Sequence, residues 1–152
     1  MPVTREQVLV QLDREEPNYA QAARLGAEAL PHLMRLIEEG EPGLAAKATY
    51  LAGSLDTEQS VEIFHRAAQS SDVVVRVAAA ASLKNLTVVP TDLAINLLDD
   101  RDIGVRKWTL KSLATEQVRL PIELKTKIRQ IAKIETNPML RQLANQISEQ
   151  LE

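Results

Sequence analysis

This 152-residue chain predicts an all-α fold of about five stacked helix-turn-helix repeats, and three observations carry that expectation. A 15-residue pattern returns at 41–55, 72–86, 102–116 and 137–151, with starts 31, 30 and 35 residues apart. Self-similarity at such a period marks repeat architectures. A further helical stretch precedes each copy. The apolar mass is also small and aliphatic: hydrophobic residues are 45% of the chain but aromatics only 3%, namely Tyr19, Tyr50, Phe64 and Trp108. Side chains of that kind suit close helix packing.

Taken in order, residues 1–26 read as a degenerate first repeat, opened by Glu16-Pro17 and closed by Leu25-Gly26. A helix at 30–39 carries Pro31 in its first turn, where a missing N–H costs nothing. The turn Gly40-Glu41-Pro42-Gly43 leads into 41–55. A helix at 57–70 follows Asp56, a residue suited to accept backbone N–H bonds at a helix start. Ser70-Ser71-Asp72 then leads into 72–86. Helices at 90–98 and 121–134 open with proline, and Thr136-Asn137-Pro138 punctuates the last hairpin.

Within each copy the first residue is acidic or Asn, and Pro42 and Pro138 take the second place. Apolar residues recur at positions 4, 8, 12 and 15, as in Val75, Ala79, Leu83 and Leu86, which is helical spacing. Small residues near the middle, such as Ala48, Ala79, Ala80 and Ala144, admit a close neighbour. The fifth position is arginine three times: Arg76, Arg106 and Arg141. One such hairpin cannot bury its apolar side alone, so the pairs must stack. A single domain over 1–152 is expected, divided 1–26, 27–55, 56–86, 87–116 and 117–152.

These residues resemble the HEAT-repeat family, in the short-repeat branch first named from phycobilisome lyases, whose pattern is roughly D-P-x-V-R-x-x-A-A-x-A-L-G-x-L. Asp72, Val75, Arg76, Ala79, Ala80, Leu83 and Leu86 match it, as do Asp102, Val105, Arg106 and Leu113. Pro42, Ala48, Gly53 and Leu55 match in the earlier copy, where Ala45 replaces the arginine. The resemblance covers residues 27–152 and implies a right-handed α-α superhelix, a HEAT-type solenoid. It also implies a ladder of ion pairs between adjacent repeats, carried by Asp72 with Arg76 and Asp102 with Arg106 and extended by Arg141. Some members of the branch are phycobilin lyase subunits, and other HEAT-like proteins excise alkylated bases from DNA.

The net charge of −3 is uneven: residues 1–72 hold 12 acids and 6 bases, residues 73–152 hold 9 acids and 12 bases. A dedicated nucleic-acid binder is usually more basic. Weak nucleic-acid contact through the C-terminal half, and a role as a lyase-like subunit or other HEAT-like enzyme component, stand as alternatives. There is no cysteine, hence no disulfide framework or thiolate metal site. No basic-then-apolar leader opens the chain and no apolar run is long enough to span a bilayer, so a cytoplasmic protein without membrane contact is expected.

Catalytic constellations are not found, and no enzyme, cofactor or metal is expected. His32 and His65 are the only histidines and sit at different offsets in their repeats. The five glycines form no phosphate cradle, and Gly53-Ser54 lacks the second glycine of a nucleophile elbow. Two acidic turns, Glu38-Glu39-Glu41 and Asp99-Asp100-Asp102, sit where the next helix's dipole favours negative charge.

A protein-protein interaction scaffold is the expected function. Solenoids bind on a concave face lined by the second helix of each repeat. Positions 6, 7, 10 and 14 should point outward there: Ala46, Lys47, Tyr50 and Ser54; Val77, Ala78, Ala81 and Asn85; Lys107, Trp108, Lys111 and Thr115; Gln142, Leu143, Gln146 and Gln150. Of these, Lys47, Tyr50, Val77, Ala81, Lys107, Trp108 and Lys111, with Lys84 beside them, form the expected site. An aromatic anchor beside small apolar residues with a basic rim fits an acidic or amphipathic segment of another protein. A second basic patch, Lys125, Lys127, Arg129 and Lys133, lies on the helix at 121–134, whose buried side Leu124, Ile128, Ile131 and Ile134 should mark.

Overall fold

Side-chain caps start most of the helices. Thr4 accepts the Gln7 amide while the Gln7 side chain returns to the Thr4 amide, a reciprocal box that starts α1 (Arg5–Leu12). Asn18 caps α2 (Tyr19–Ala22), which runs through a 3-10 turn to Gly26. A second 3-10 turn leads into α3 (Leu30–Glu39), which ends on Gly40 at φ 80°, a left-handed conformation that favours glycine. Glu41 accepts the Gly43 and Leu44 amides at 3.1 and 2.7 Å and so starts α4 (Pro42–Leu55). Thr57 forms a second reciprocal box with Ser60 at the head of α5 (Glu58–Ala68). Asp72 and Asp102 cap α6 (Val73–Ser82) and α8 (Ile103–Leu113). Asn137 caps α10 (Pro138–Gln150), with Pro138 in the first turn. Between them, α7 (Thr91–Leu98) and α9 (Ile122–Ile134) follow Pro90 and Pro121, which occupy the cap position.

The chain is thus all-helical in this computed structural model, which describes residues 2–55, 57–114 and 119–151, and no strand occurs among them. Asp56, Thr115 and Glu116 lie outside the described residues; the cap of α5 within them is Thr57. The first hairpin also differs from expectation: Asn18, not Glu16, is the cap, because its side chain accepts the Gln21 amide at 3.0 Å. The second helix of the third hairpin closes early, α6 tightening into a 3-10 turn over Leu83–Asn85.

The helices pack in two rows. α4, α6, α8 and α10 lie side by side, each against the next, and α3, α5, α7 and α9 form a second row over them. α1 packs on α3 and α4, and α2 on α4, at one end. One contiguous core runs between the rows. Leu33, Ile63, Phe64, Leu93, Leu97, Leu124 and Ile128 meet Ala48, Leu51, Ala79, Leu83, Leu110, Leu113, Leu140 and Ala144 there. Each fully buried Leu, Ile or Phe side chain contributes about 1.5–3 kcal/mol, and each alanine methyl less.

The inner row, formed by α4, α6, α8 and α10, packs closely because its side chains are small. Gly53 lies inside α4, where a Cβ would meet Ser82 Cβ at 3.2 Å and Phe64 Cζ at 3.4 Å. Its role is therefore room for its neighbours, not a turn. Three buried hydroxyls on this row are satisfied locally or across it, while Ser82 Oγ has no hydrogen-bond partner among the described residues. Thr49 and Thr109 donate to carbonyls one turn back, and Ser112 donates from α8 to the Ala80 carbonyl of α6 at 2.6 Å. On α9, Leu124 and Ile128 are buried and Ile131 half-buried, but Ile134, expected inside, is 66% exposed at the helix end.

Candidate partner-binding face

Every acid in the two acidic turns has a defined role. Glu41 and Asp102 cap helices. Glu39 accepts Arg5 at 2.7 Å, Glu38 faces Arg66 at 3.9 Å, and Asp99 holds Lys127 at 2.7 Å. Asp100 takes Arg76, whose Nε donates to its carboxylate at 3.0 Å while Nη1 donates to the Ser70 and Ser71 carbonyls. The pair is buried, with both side chains at most 10% exposed. In the next repeat Arg106 donates to the Asp100 carbonyl at 2.9 Å and lies 3.9 Å from Glu135.

Arginine rungs therefore link successive repeats, but with different acids from those expected. Asp72 and Asp102 are caps and do not pair with Arg76 or Arg106. The paired acids stand two residues before the next cap, because an arginine at the fifth position reaches forward across the turn. At Ala45, where the arginine is missing, the corresponding acid position holds Ser70. Arg141 is exposed and makes no rung among the described residues. A cleft of about 530 Å³ opens beside Arg76 and Asp100. Arg76 is already matched there and has no free charge for a phosphate.

The outward face of the inner row is partly as expected. Tyr50 and Ala81 are half-buried, Lys111 and Gln146 are exposed, and Ser54, Asn85 and Gln150 are exposed. Ala46 and Ala78, expected outward, are only 6% and 0% exposed. The small Ala46 and Ala78 are enclosed by the surrounding packing, whereas larger side chains at the same positions keep part of their surface outside it. Val77 and Lys107 are half-buried, and Trp108 is 37% exposed. Lys107 and Lys111 bring their ammonium groups 5.4 and 5.2 Å from the Trp108 ring centroid. Cation–π contacts at an exposed ring contribute about 0.5–1 kcal/mol each, little enough for a ligand carboxylate to redirect either lysine. Lys84 stands exposed in the turn after α6.

The N-terminal end of the face is occupied by the chain itself. Lys47 Nζ donates to the Arg14 carbonyl at 2.6 Å. Tyr50 packs on Tyr19, ring centroids 5.8 Å apart. Tyr19 was not among the expected site residues; the Asn18 cap ahead of it was the available signal. The free surface is therefore Val77, Ala81, Lys84, Lys107, Trp108 and Lys111.

Burial, together with the neighbouring Tyr50, pushes the Tyr19 hydroxyl up to about 12, and burial raises Tyr50 as well. An unfolded tyrosine loses its proton near pH 10, while the folded pair keeps it. The unfolded chain then binds fewer protons, so stability is intact below about pH 10 and falls as pH climbs toward 12. An absorbance-monitored alkaline titration is expected to show Tyr19 ionising late, with that step absent from Tyr19→Phe. Ionisation of both tyrosines near pH 10 would show that α2 does not hold its place on α4.

Other polar groups are engaged or dispersed. His32 contacts the Val3 carbonyl at 2.8 Å, and His65 is half-buried on α5. Among the described residues no group of three or more His, Asp or Glu side chains is placed to hold a metal ion. In the basic patch of α9, Lys127 is paired with Asp99, and Arg129 donates to the Leu151 carbonyl. Among the described residues no helix is long and apolar enough to cross a membrane. No protein-family model matches the chain, and no curated protein is significantly similar to it.

Proposed function

We propose that the chain is a HEAT-type, right-handed α-α solenoid of five helix-turn-helix units within residues 1–152, working in the cytoplasm as a non-catalytic interaction scaffold. Its partner is another protein, presenting an acidic or amphipathic segment to the concave face of the inner helix row. The supporting observation is Trp108: an exposed indole between two lysines on α8, the helix packed against the one that carries the small, half-buried Val77 and Ala81. Indoles at the centre of an interface are among the commonest energetic anchors, and lysines at its rim select for negative charge. The two-row packing and the arginine rungs support the solenoid reading, since each repeat is joined mainly to its neighbours.

The test compares proteins retained from a lysate of the source organism by the wild type and by Trp108→Ala/Lys111→Glu. Both side chains are exposed, so the variant is expected to keep its helical circular dichroism. A specific partner is expected to bind the variant at least about thirtyfold more weakly, the effect of losing one hot-spot residue. Equal retention of the same partner by both proteins would remove this face from consideration.

A further inference from the structure

The arginine ladder has a free donor at one end and a free acceptor at the other. Arg76 and Arg106 stand four residues after the caps Asp72 and Asp102, and their partners Asp100 and Glu135 stand two residues before the next caps. Arg141 stands four residues after the cap Asn137, and its amide donates to the cap carbonyl at 2.9 Å, as those of Arg76 and Arg106 do at 3.3 and 3.2 Å. It is in register for a rung, yet it is exposed and unpaired among the described residues.

At the opposite end, Asn18 caps α2 just as Asn137 caps α10: each side chain accepts the amide three residues on, at 3.0 and 3.1 Å. Glu16 therefore occupies the place of Asp100 and Glu135, two residues before its cap. It too is exposed and unpaired among the described residues. Inside the stack this acid position is either matched or neutral: Arg5 serves Glu39, and Ser70 stands where Ala45 offers no cation. The net −6 of residues 1–72 and +3 of residues 73–152 favour the same polarity.

We propose that a second copy of this chain docks head to tail, its α1–α2 end on the α9–α10 end of the first, with Arg141 of one copy pairing with Glu16 of the next. Such a contact is heterologous, and repeating it gives open rows, not a closed dimer. The exposed side of α10 carries Gln142, Asn145 and Gln146, so the rung sits among polar side chains, although Met139 of α10 and Val10 of α1 are also exposed at the two ends; the joint forms at high protein concentration and weakens with salt. It rests on the proposed repeat stack but not on the Trp108 face. Trp108→Ala/Lys111→Glu is therefore expected to associate as the wild type does, which separates failure of the joint from failure of that face.

Sedimentation equilibrium of the full chain at low salt tests it. The wild-type mass is expected to rise with concentration and fall when salt is added. Arg141→Glu alone and Glu16→Arg alone are each expected to associate at least about tenfold more weakly, because like charges then meet. An equal mixture of the two variants is expected to recover association, since the reversed charges face one another across alternate joints. A wild type that stays monomeric throughout, association that both variants retain, or a mixture that recovers nothing would each overturn the proposal.

Discussion

Arg76→Ala is expected to lower stability by about 3–5 kcal/mol, the cost of removing one partner from a buried ion pair. Three acceptors lose their donor at once: the Asp100 carboxylate and the Ser70 and Ser71 carbonyls. Asp100 is nearly buried, so water replaces the guanidinium poorly. It keeps only the Asp102 amide, which donates to its other oxygen at 2.9 Å. Arg106→Ala is the internal comparison. Its side chain is more exposed, and its Glu135 contact at 3.9 Å is an ion pair without a hydrogen bond. A loss of about 1 kcal/mol is expected there, on the scale of a partly solvated pair. Chemical denaturation of both variants checks the ordering. Equal losses would mean that the Arg76 rung carries no more than a surface pair does.

Phe64→Ala is expected to cost a similar amount, about 3–5 kcal/mol, for a different reason. Phe64 is the only phenylalanine in the chain and is fully buried on α5, with its ring reaching between the rows to Gly53 of α4. Gly53 makes the space and Phe64 fills it, so truncation leaves a void at the point where α4, α5 and α6 meet. For a chain of this size the melting temperature is expected to fall by roughly 10 °C. Phe64→Leu keeps most of the apolar volume and is expected to lose much less. An unchanged melting temperature in Phe64→Ala would show that the helices close over the gap without loss.

Much of this architecture is legible in the sequence. Asp72, Asp102 and Asn137 announce helix starts because a short polar side chain can accept a nearby amide, and each does so. The periodic apolar residues Val75, Ala79, Leu83 and Leu86 are all buried. Tertiary features are less visible. Asp100 and Glu135 look like turn residues until Arg76 and Arg106 are seen to reach forward over the turn. Ala46 and Ala78 read as outward by helical phase, but their small side chains are enclosed by the surrounding packing. Tyr19 lies in a hairpin that departs from the repeat, and its contact with Tyr50 depends on how that hairpin folds back. For Trp108 the helical phase and the observed exposure agree, because a side chain that large extends beyond its neighbours.

Trp108 is the only tryptophan, so the proposed binding face carries its own reporter. The most direct measurement is its fluorescence during titration with a partner retained by the wild type, followed at two salt concentrations. A saturable change in Trp108 emission is predicted, with weaker binding at the higher salt as the lysine rim is screened. A partner that binds with an unchanged emission spectrum would place the working surface elsewhere on the molecule.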